Sequence, residues 1–241
     1  MIFDKIYAQF DKDKIGENEI CSRCREETNI CTTPLSPYLI SDEVINPNER
    51  IMFIGKTARG SDFGEETDIF YEDVTAFGND FIRTSSWAYY SYTREIIKRY
   101  FGSIDAGIKH ITYSNLMKCN NESTQDTTPY NAKQYCLNEN KFIWKEIGII
   151  QPKRLIFYSH NYYDDFIENF RPLNSHHFID VTDKSNAIEV GEKSALYWHR
   201  EFFDKNNKLL CAFLRTSHPE RLNKEDFVQN VLRFLKKTEN E

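Results

Sequence analysis

Four short apolar runs, separated by longer stretches of helical periodicity, constrain this chain more than any other feature. They are Arg50 to Gly55 (RIMFIG), His110 to Met117 (HITYSNLM), Arg154 to Ser159 (RLIFYS) and Lys208 to Arg215 (KLLCAFLR). The first is a continuous apolar run of the kind found in strands buried on both faces. From Ser86 to Tyr100, the residues Ala88, Tyr92, Ile96 and Tyr100 recur at near-helical spacing, and Gly102 is placed to stop the helix. Pro129 to Ile149 reads as a helix with Pro129 suited to its first turn. Shorter helical patterns follow at Tyr162 to Phe170 and Lys224 to Lys237. Strands alternating with helices predict an α/β fold around a central, mostly parallel sheet. Residues 60–83, polar and acid-rich, and 119–129 (CNNESTQDTTP) are expected to be loops. One domain is expected over 1–241, with residues 1–45 as an N-terminal extension.

Composition narrows the function classes. Nine glycines and seven prolines in 241 residues exclude collagen-like and linker-like chains, and 40% hydrophobic residues suffice for a sizeable core. The longest uncharged run, which includes Asn29 to Ser41, carries two prolines and falls far short of the roughly 20 apolar residues a membrane span needs. The first residues, MIFDKIYAQFDKDK, put charges where a signal peptide would be hydrophobic. A cytoplasmic monomer with no membrane partner is therefore expected. The net charge of −6 argues against a general polyanion binder, because nonspecific nucleic-acid affinity comes from Lys and Arg. A basic face on an acidic body remains open.

Six cysteines without an export signal point to metal ligation or buried thiols, not disulfides. Cys21 and Cys24 form a C-x2-C pair, which delivers two thiolates from one tight turn. Cys119 follows the second strand, and Cys136 comes after sixteen intervening residues. A zinc ribbon would present a second C-x2-C knuckle. The wide second pair better suits an iron–sulfur cluster, which accepts ligands from dispersed segments, with zinc as the alternative. Cys211 lies in an apolar strand and reads as a buried hydrophobe. Cys31 fits either a spare thiol or an alternative ligand.

The ordered set CSRC (21–24), IMFIGKTARG (51–60), SNLMKC (114–119), Cys136, IQPKRLIFY (150–158) and SHPER (217–221) resembles the uracil-DNA glycosylase superfamily. The likeness is to the branch that carries a four-iron cluster, and it covers about 200 residues in the right order. The resemblance implies a three-layer α/β/α sandwich and a [4Fe–4S] cluster held by Cys21, Cys24, Cys119 and Cys136. It also implies excision of uracil or a related damaged base from single- or double-stranded DNA. The cluster in such proteins is structural.

The residue chemistry agrees with that expectation. Breaking an N-glycosidic bond builds negative charge on the leaving pyrimidine, so a donor aimed at the developing oxyanion is useful. His218, held in a turn by Pro219, suits that role, though the same position fits an ordinary turn histidine. Asn115, at the end of a strand, offers one donor and one acceptor, matching the O4 and N3–H edge of uracil. A strand-end Asn can equally cap a loop. Gly55, Lys56, Thr57 and Ser217 are candidates for contact with base or phosphate. Phe77 is the candidate ring for stacking on a base flipped out of the duplex.

One position departs from the family pattern. The glycine that ends the first strand is followed there by an acidic residue, in a GEAPG-like motif, and here by Lys56. Asp62 is the candidate substitute among the carboxylates of the following loop, while Lys56 and Arg59 also suit phosphate contact. A lysine beside an opened sugar forms a Schiff base only if burial lowers its pKa. No G-x-S-x-G elbow or P-loop order appears, and His160, His176, His177 and His199 show no metal-helix spacing. Two readings result. One is a DNA glycosylase hydrolysing the bond to a deaminated base. The other is a catalytically altered or inactive relative that binds nucleic acid, a nucleotide or a protein partner.

Overall fold

The computed structural model describes residues 2–28, 31–34, 39–40, 50–57, 73–121, 128–185, 187–191 and 193–239. The chain opens with α1 (Ile2–Asp13), α2 (Glu19–Thr28), β1 (Cys31–Pro34), β2 (Leu39–Ile40) and β3 (Ile51–Gly55). It continues through α3 (Asp73–Thr84), α4 (Ala88–Phe101), α5 (Ile104–Ile108), β4 (Ile111–Asn115) and β5 (Cys119–Asn121). Next come α6 (Tyr130–Lys133), a π-helical segment (Gln134–Asn140), α7 (Phe142–Ile150), β6 (Arg154–Phe157), a 3-10 turn (His160–Tyr163) and α8 (Asp164–Ile167). The last part holds β7 (His177–Thr182), β8 (Ala187–Val190), β9 (Lys193–Leu196), β10 (Trp198–Phe203), β11 (Leu209–Arg215), a 3-10 turn (Pro219–Arg221) and α9 (Lys224–Lys237).

Seven strands form the main sheet in the order β2-β4-β3-β6-β11-β10-β7. The four apolar runs supply its centre, where β4, β3, β6 and β11 are mutually parallel. The outer strands β2, β10 and β7 are antiparallel to their neighbours. Because the second run lies on one side of the first and the third on the other, the strand order reverses between β3 and β6. Ligand sites of open α/β sheets lie at such a reversal, beyond the carboxyl ends of the strands.

Alternation along β3 explains the layers. Ile51 and Phe53 face a core shared with Ile96 and Ile97 of α4 and Phe227, Val228 and Val231 of α9. Met52 and Ile54 face a second core with Ile6 and Phe10 of α1, Phe142, Ile143 and Ile147 of α7, and Phe166 of α8. Both faces are dry and helix-covered, which is why the run lacks the polar alternation of a half-exposed strand. Each large side chain buried this way contributes on the order of 2 kcal/mol relative to exposure. Cys21 and Cys24 of α2 lie in the second core too, so α1 and α2 pack into the α/β body.

Several expectations are corrected. The stretch 60–83 is not all loop: α3 occupies its end, and Phe81 reaches Tyr90 with ring centroids 5.1 Å apart. The stretch 119–129 is not all loop either, since β5 pairs with β1. The single helix expected from Pro129 to Ile149 is broken at Lys141, which adopts φ 61° between the π segment and α7. The helix expected from Tyr162 to Phe170 is a 3-10 turn followed by the short α8. Residues 171–207, where periodicity predicts no element, contribute four strands. Among the described residues no helix is long and apolar enough to cross a membrane.

Candidate functional site

β3 and β4 end side by side, with Gly55 opposite Asn115. The ladder continues beyond them: the Leu116 N–H donates to Gly55 O and the Met117 N–H to Lys56 O, both at 2.9 Å. The Asn115 side chain crosses the face of Gly55, so a Cβ at position 55 would overlap Asn115 Oδ1 and lie 3.2 Å from Tyr89 Cε1. Glycine is what lets the Asn115 carboxamide approach this closely. Tyr89, in the first turn of α4, donates its hydroxyl to Tyr158 O at 3.3 Å. Its ring meets the His218 imidazole edge-on, with centroids 4.8 Å apart at 84°.

His218 is 5% exposed and follows β11. Its Nδ1 accepts the Glu220 N–H at 3.3 Å, capping the 3-10 turn that Pro219 begins. With Nδ1 accepting, a neutral imidazole carries its proton on Nε2. Asn115, Gly55, Tyr89 and His218 thus form one connected cluster of contacts at the carboxyl ends of the parallel strands.

Backbone bonds lace these strand ends together. Tyr158 N–H donates to Ile54 O, Thr216 N–H to Phe157 O, and His160 N–H to Thr216 O. His160 has φ 53°, a left-handed conformation that a non-glycine residue adopts at some cost. Its ring stacks on Tyr162 at 5.0 Å. Burial holds the His160 imidazole below its ordinary range, and the nearby Arg215 and Lys56 cations add to that depression. Arg215 itself forks onto Asp164 at 2.8 and 2.7 Å and donates to Leu196 O, so this pair is scaffold.

Lys56 is 2% exposed, and its ammonium lies 5.5 Å from the centre of the Tyr162 ring. Lys56 follows the last residue of β3, and its charge is felt at the His160 imidazole. Thr57 donates its hydroxyl to Cys119 O at 3.0 Å, tying the end of β3 to the cysteine segment. The Ser217 hydroxyl oxygen accepts the Leu196 N–H at 3.2 Å, holding β9 against the end of β11. Asp62 and Arg59 lie outside the described residues, as do the side chains of Phe77 and Cys31.

Cys21, Cys24, Cys119 and Cys136 line one pocket with Gly16, Met117, Asn140 and Phe142. The pocket holds about 350 Å³ of open space including its mouth. Cys21 Sγ accepts a hydrogen bond from Asn140 Nδ2 at 3.5 Å. Burial raises the Cys21 pKa, with hydrogen bonds from the Gly16 backbone and from Asn140 acting the other way. Among the described residues, no three Cys, His, Asp or Glu side chains close on a point that could hold one ion. Behind the pocket, Lys118 and Glu146 form a fully buried ion pair, and Lys118 also donates to Ser114 Oγ at 2.6 Å. Cys211 sits apart, 4% exposed, and burial pushes its thiol up to about 12.

Tyr89, His160 and Tyr162 are the site residues that sequence reasoning misses. Tyr89 lies off the Ala88–Tyr92–Ile96 stripe that defines its helix, and only that offset distinguishes it from a core ring. Comparison with models of known protein families gives no match, and no curated protein matches the chain.

Proposed function

We propose that this protein is a DNA N-glycosylase that hydrolyses the bond between deoxyribose and uracil, or a related deaminated base. The observation that carries this reading is the juxtaposition of Asn115, Tyr89 and His218 around Gly55 at the ends of β3, β4 and β11. A flipped pyrimidine needs a flat apolar wall, a complementary edge and a donor for its developing charge. Tyr89 supplies such a wall, alongside the earlier candidate Phe77, whose side chain lies outside the described residues. The Asn115 carboxamide, which is 8% exposed and held across Gly55, is the complementary edge for O4 and N3–H. His218 Nε2–H is the donor to the base oxygen as the C1′–N bond breaks. Water then adds at C1′ and its proton leaves to solvent, with Asp62 the carboxylate assigned to position it.

The four cysteines fit a [4Fe–4S] cluster better than a zinc ion. The ligands come from dispersed segments, as a cluster accepts, whereas a zinc ribbon presents a second C-x2-C knuckle that this chain lacks. A cluster bound there would be structural, bracing the α2, β5 and π segments. Thr57, through Cys119 O, would transmit that bracing to the end of β3.

The burial of Lys56 favours the second reading, a glycosylase-like protein that binds nucleic acid or a nucleotide without cleaving it. A cation stands where the resembling proteins carry a carboxylate. The decisive assay incubates the protein with single- and double-stranded DNA containing uracil, hypoxanthine or xanthine, and measures abasic sites. Excision is expected, falling about 10²-fold or more in Asn115→Ala and in His218→Ala, the scale of losing one transition-state donor. Activity that survives both changes rejects this site. Tight DNA binding without excision of any of the three bases promotes the non-catalytic reading.

A further inference from the structure

Asn140 stands out among the pocket residues because one end of its carboxamide meets Cys21 and the other meets Asn18, which itself holds the Cys21 backbone. Its Nδ2 donates to Cys21 Sγ at 3.5 Å, and its Oδ1 accepts from Asn18 Nδ2 at 3.0 Å. Asn18 in turn donates to Asp13 O at 2.8 Å and accepts the Cys21 N–H on its Oδ1 at 2.8 Å. These bonds settle which end of each carboxamide is nitrogen, since reversing either would set donor against donor. Two asparagines from segments 122 residues apart therefore hold one cysteine by both its backbone and its sulfur.

The local backbone explains how Asn140 arrives there. The segment Gln134–Asn140 is π-helical, with Cys136 and Asn140 four residues apart on nearly the same face. An ordinary helix continuing to Ile150 would carry Asn140 onward into its own i→i−4 ladder. Here the segment ends at Lys141, whose N–H returns to Cys136 O at 3.0 Å. Asn140 is 6% exposed, so its carboxamide is committed to the pocket.

We propose that Asn140, oriented by Asn18, is a positioning residue for the metal cluster: it donates an N–H···S bond to the Cys21 ligand and thereby sets the cluster's retention and electronic properties. This rests on the cluster reading above and extends it to the outer shell. Hydrogen bonds to ligand sulfurs are one of the means by which proteins tune such clusters, and losing an outer-shell partner typically costs 10–100-fold in metal affinity.

The experiment uses full-length protein purified anaerobically, or reconstituted with ferrous iron and sulfide. Iron and acid-labile sulfide are counted, the visible spectrum is recorded, and the absorbance is followed after adding a chelator. Asn140→Leu, close in size but without a donor, is expected to lose the cluster about tenfold faster or more, with altered sulfur-to-iron absorption bands. Asn18→Ala, which leaves Asn140 in place but unoriented, should move both readouts the same way by less. Asn140→Gln, which keeps a donor, should restore part of the retention. Loaded wild-type and Asn140→Leu proteins with the same spectrum and the same rate of loss overturn the inference and leave the cluster reading intact. Wild-type protein that takes up neither iron nor sulfide overturns both. If Asn140→Leu fails to fold, Asn18→Ala decides: a spectrum and loss rate equal to wild type overturn the inference.

Discussion

At position 55 a single methyl group separates two states of the site. Gly55 admits the Asn115 carboxamide across its face because it has no Cβ. Gly55→Ala forces Asn115 to swing away, at about 1 kcal/mol, the low end of overpacking costs because the obstacle is a side chain that can rotate. Stability should fall modestly, while base excision should fall as far as in Asn115→Ala. Denaturant unfolding and the abasic-site assay check the two halves, and an active Gly55→Ala protein would detach Asn115 from the chemistry. His218 and Asn115 were legible as residues because each ends an apolar run or follows one. Tyr89 was not, because a helix-start aromatic gains meaning only from what stands above it.

At the scale of elements, α4 and α9 are joined outside the core by a bidentate ion pair. Arg99 donates to both carboxylate oxygens of Glu225 at 2.7 and 2.8 Å and to Glu95 at 2.6 Å. The Arg99 bonds hold the Glu225 pKa down to about 2, against an ordinary 4.5. A carboxylate with a depressed folded-state pKa contributes stability above its unfolded value and loses it as pH falls through the folded one. The stability difference between wild type and Glu225→Gln should therefore shrink from pH 4.5 toward pH 2, and high salt should reduce it at neutral pH. Acid-unfolding curves of the two proteins check this; parallel curves would show that the pair contributes nothing. The strands β7 and β10 show why other elements escaped the periodicity analysis. β10 reads WHREFF, with three ionisable residues in its middle. Arg200 is buried there because Asp180 of β7 takes its Nε at 2.5 Å and its Nη2 at 3.0 Å, while the centre of the Phe178 ring lies 4.0 Å from the guanidinium carbon.

For the whole molecule, the pocket that collects Cys21, Cys24, Cys119 and Cys136 joins α2, the end of the sheet and the π segment. A cluster bound there ties together parts of the chain more than a hundred residues apart, so ligation should add to global stability by mass action. Protein stripped of iron is expected to unfold at a lower temperature than loaded protein, and reconstitution should restore the difference. Equal midpoints, measured by calorimetry under anaerobic conditions, would remove the structural role of the metal. The sequence by itself determined the parallel centre of the sheet and its two helical layers, since strands buried on both faces must be apolar throughout and announce themselves locally. It also marked four of the thiols by spacing. Tertiary structure alone decided which charges are buried, because the burial of Lys56, Lys118, Arg200 and Arg215 depends on segments brought in from elsewhere in the chain. It alone made Asn140 a partner of Cys21 and Tyr89 a partner of His218, since such pairs depend on distances between segments that no local pattern encodes.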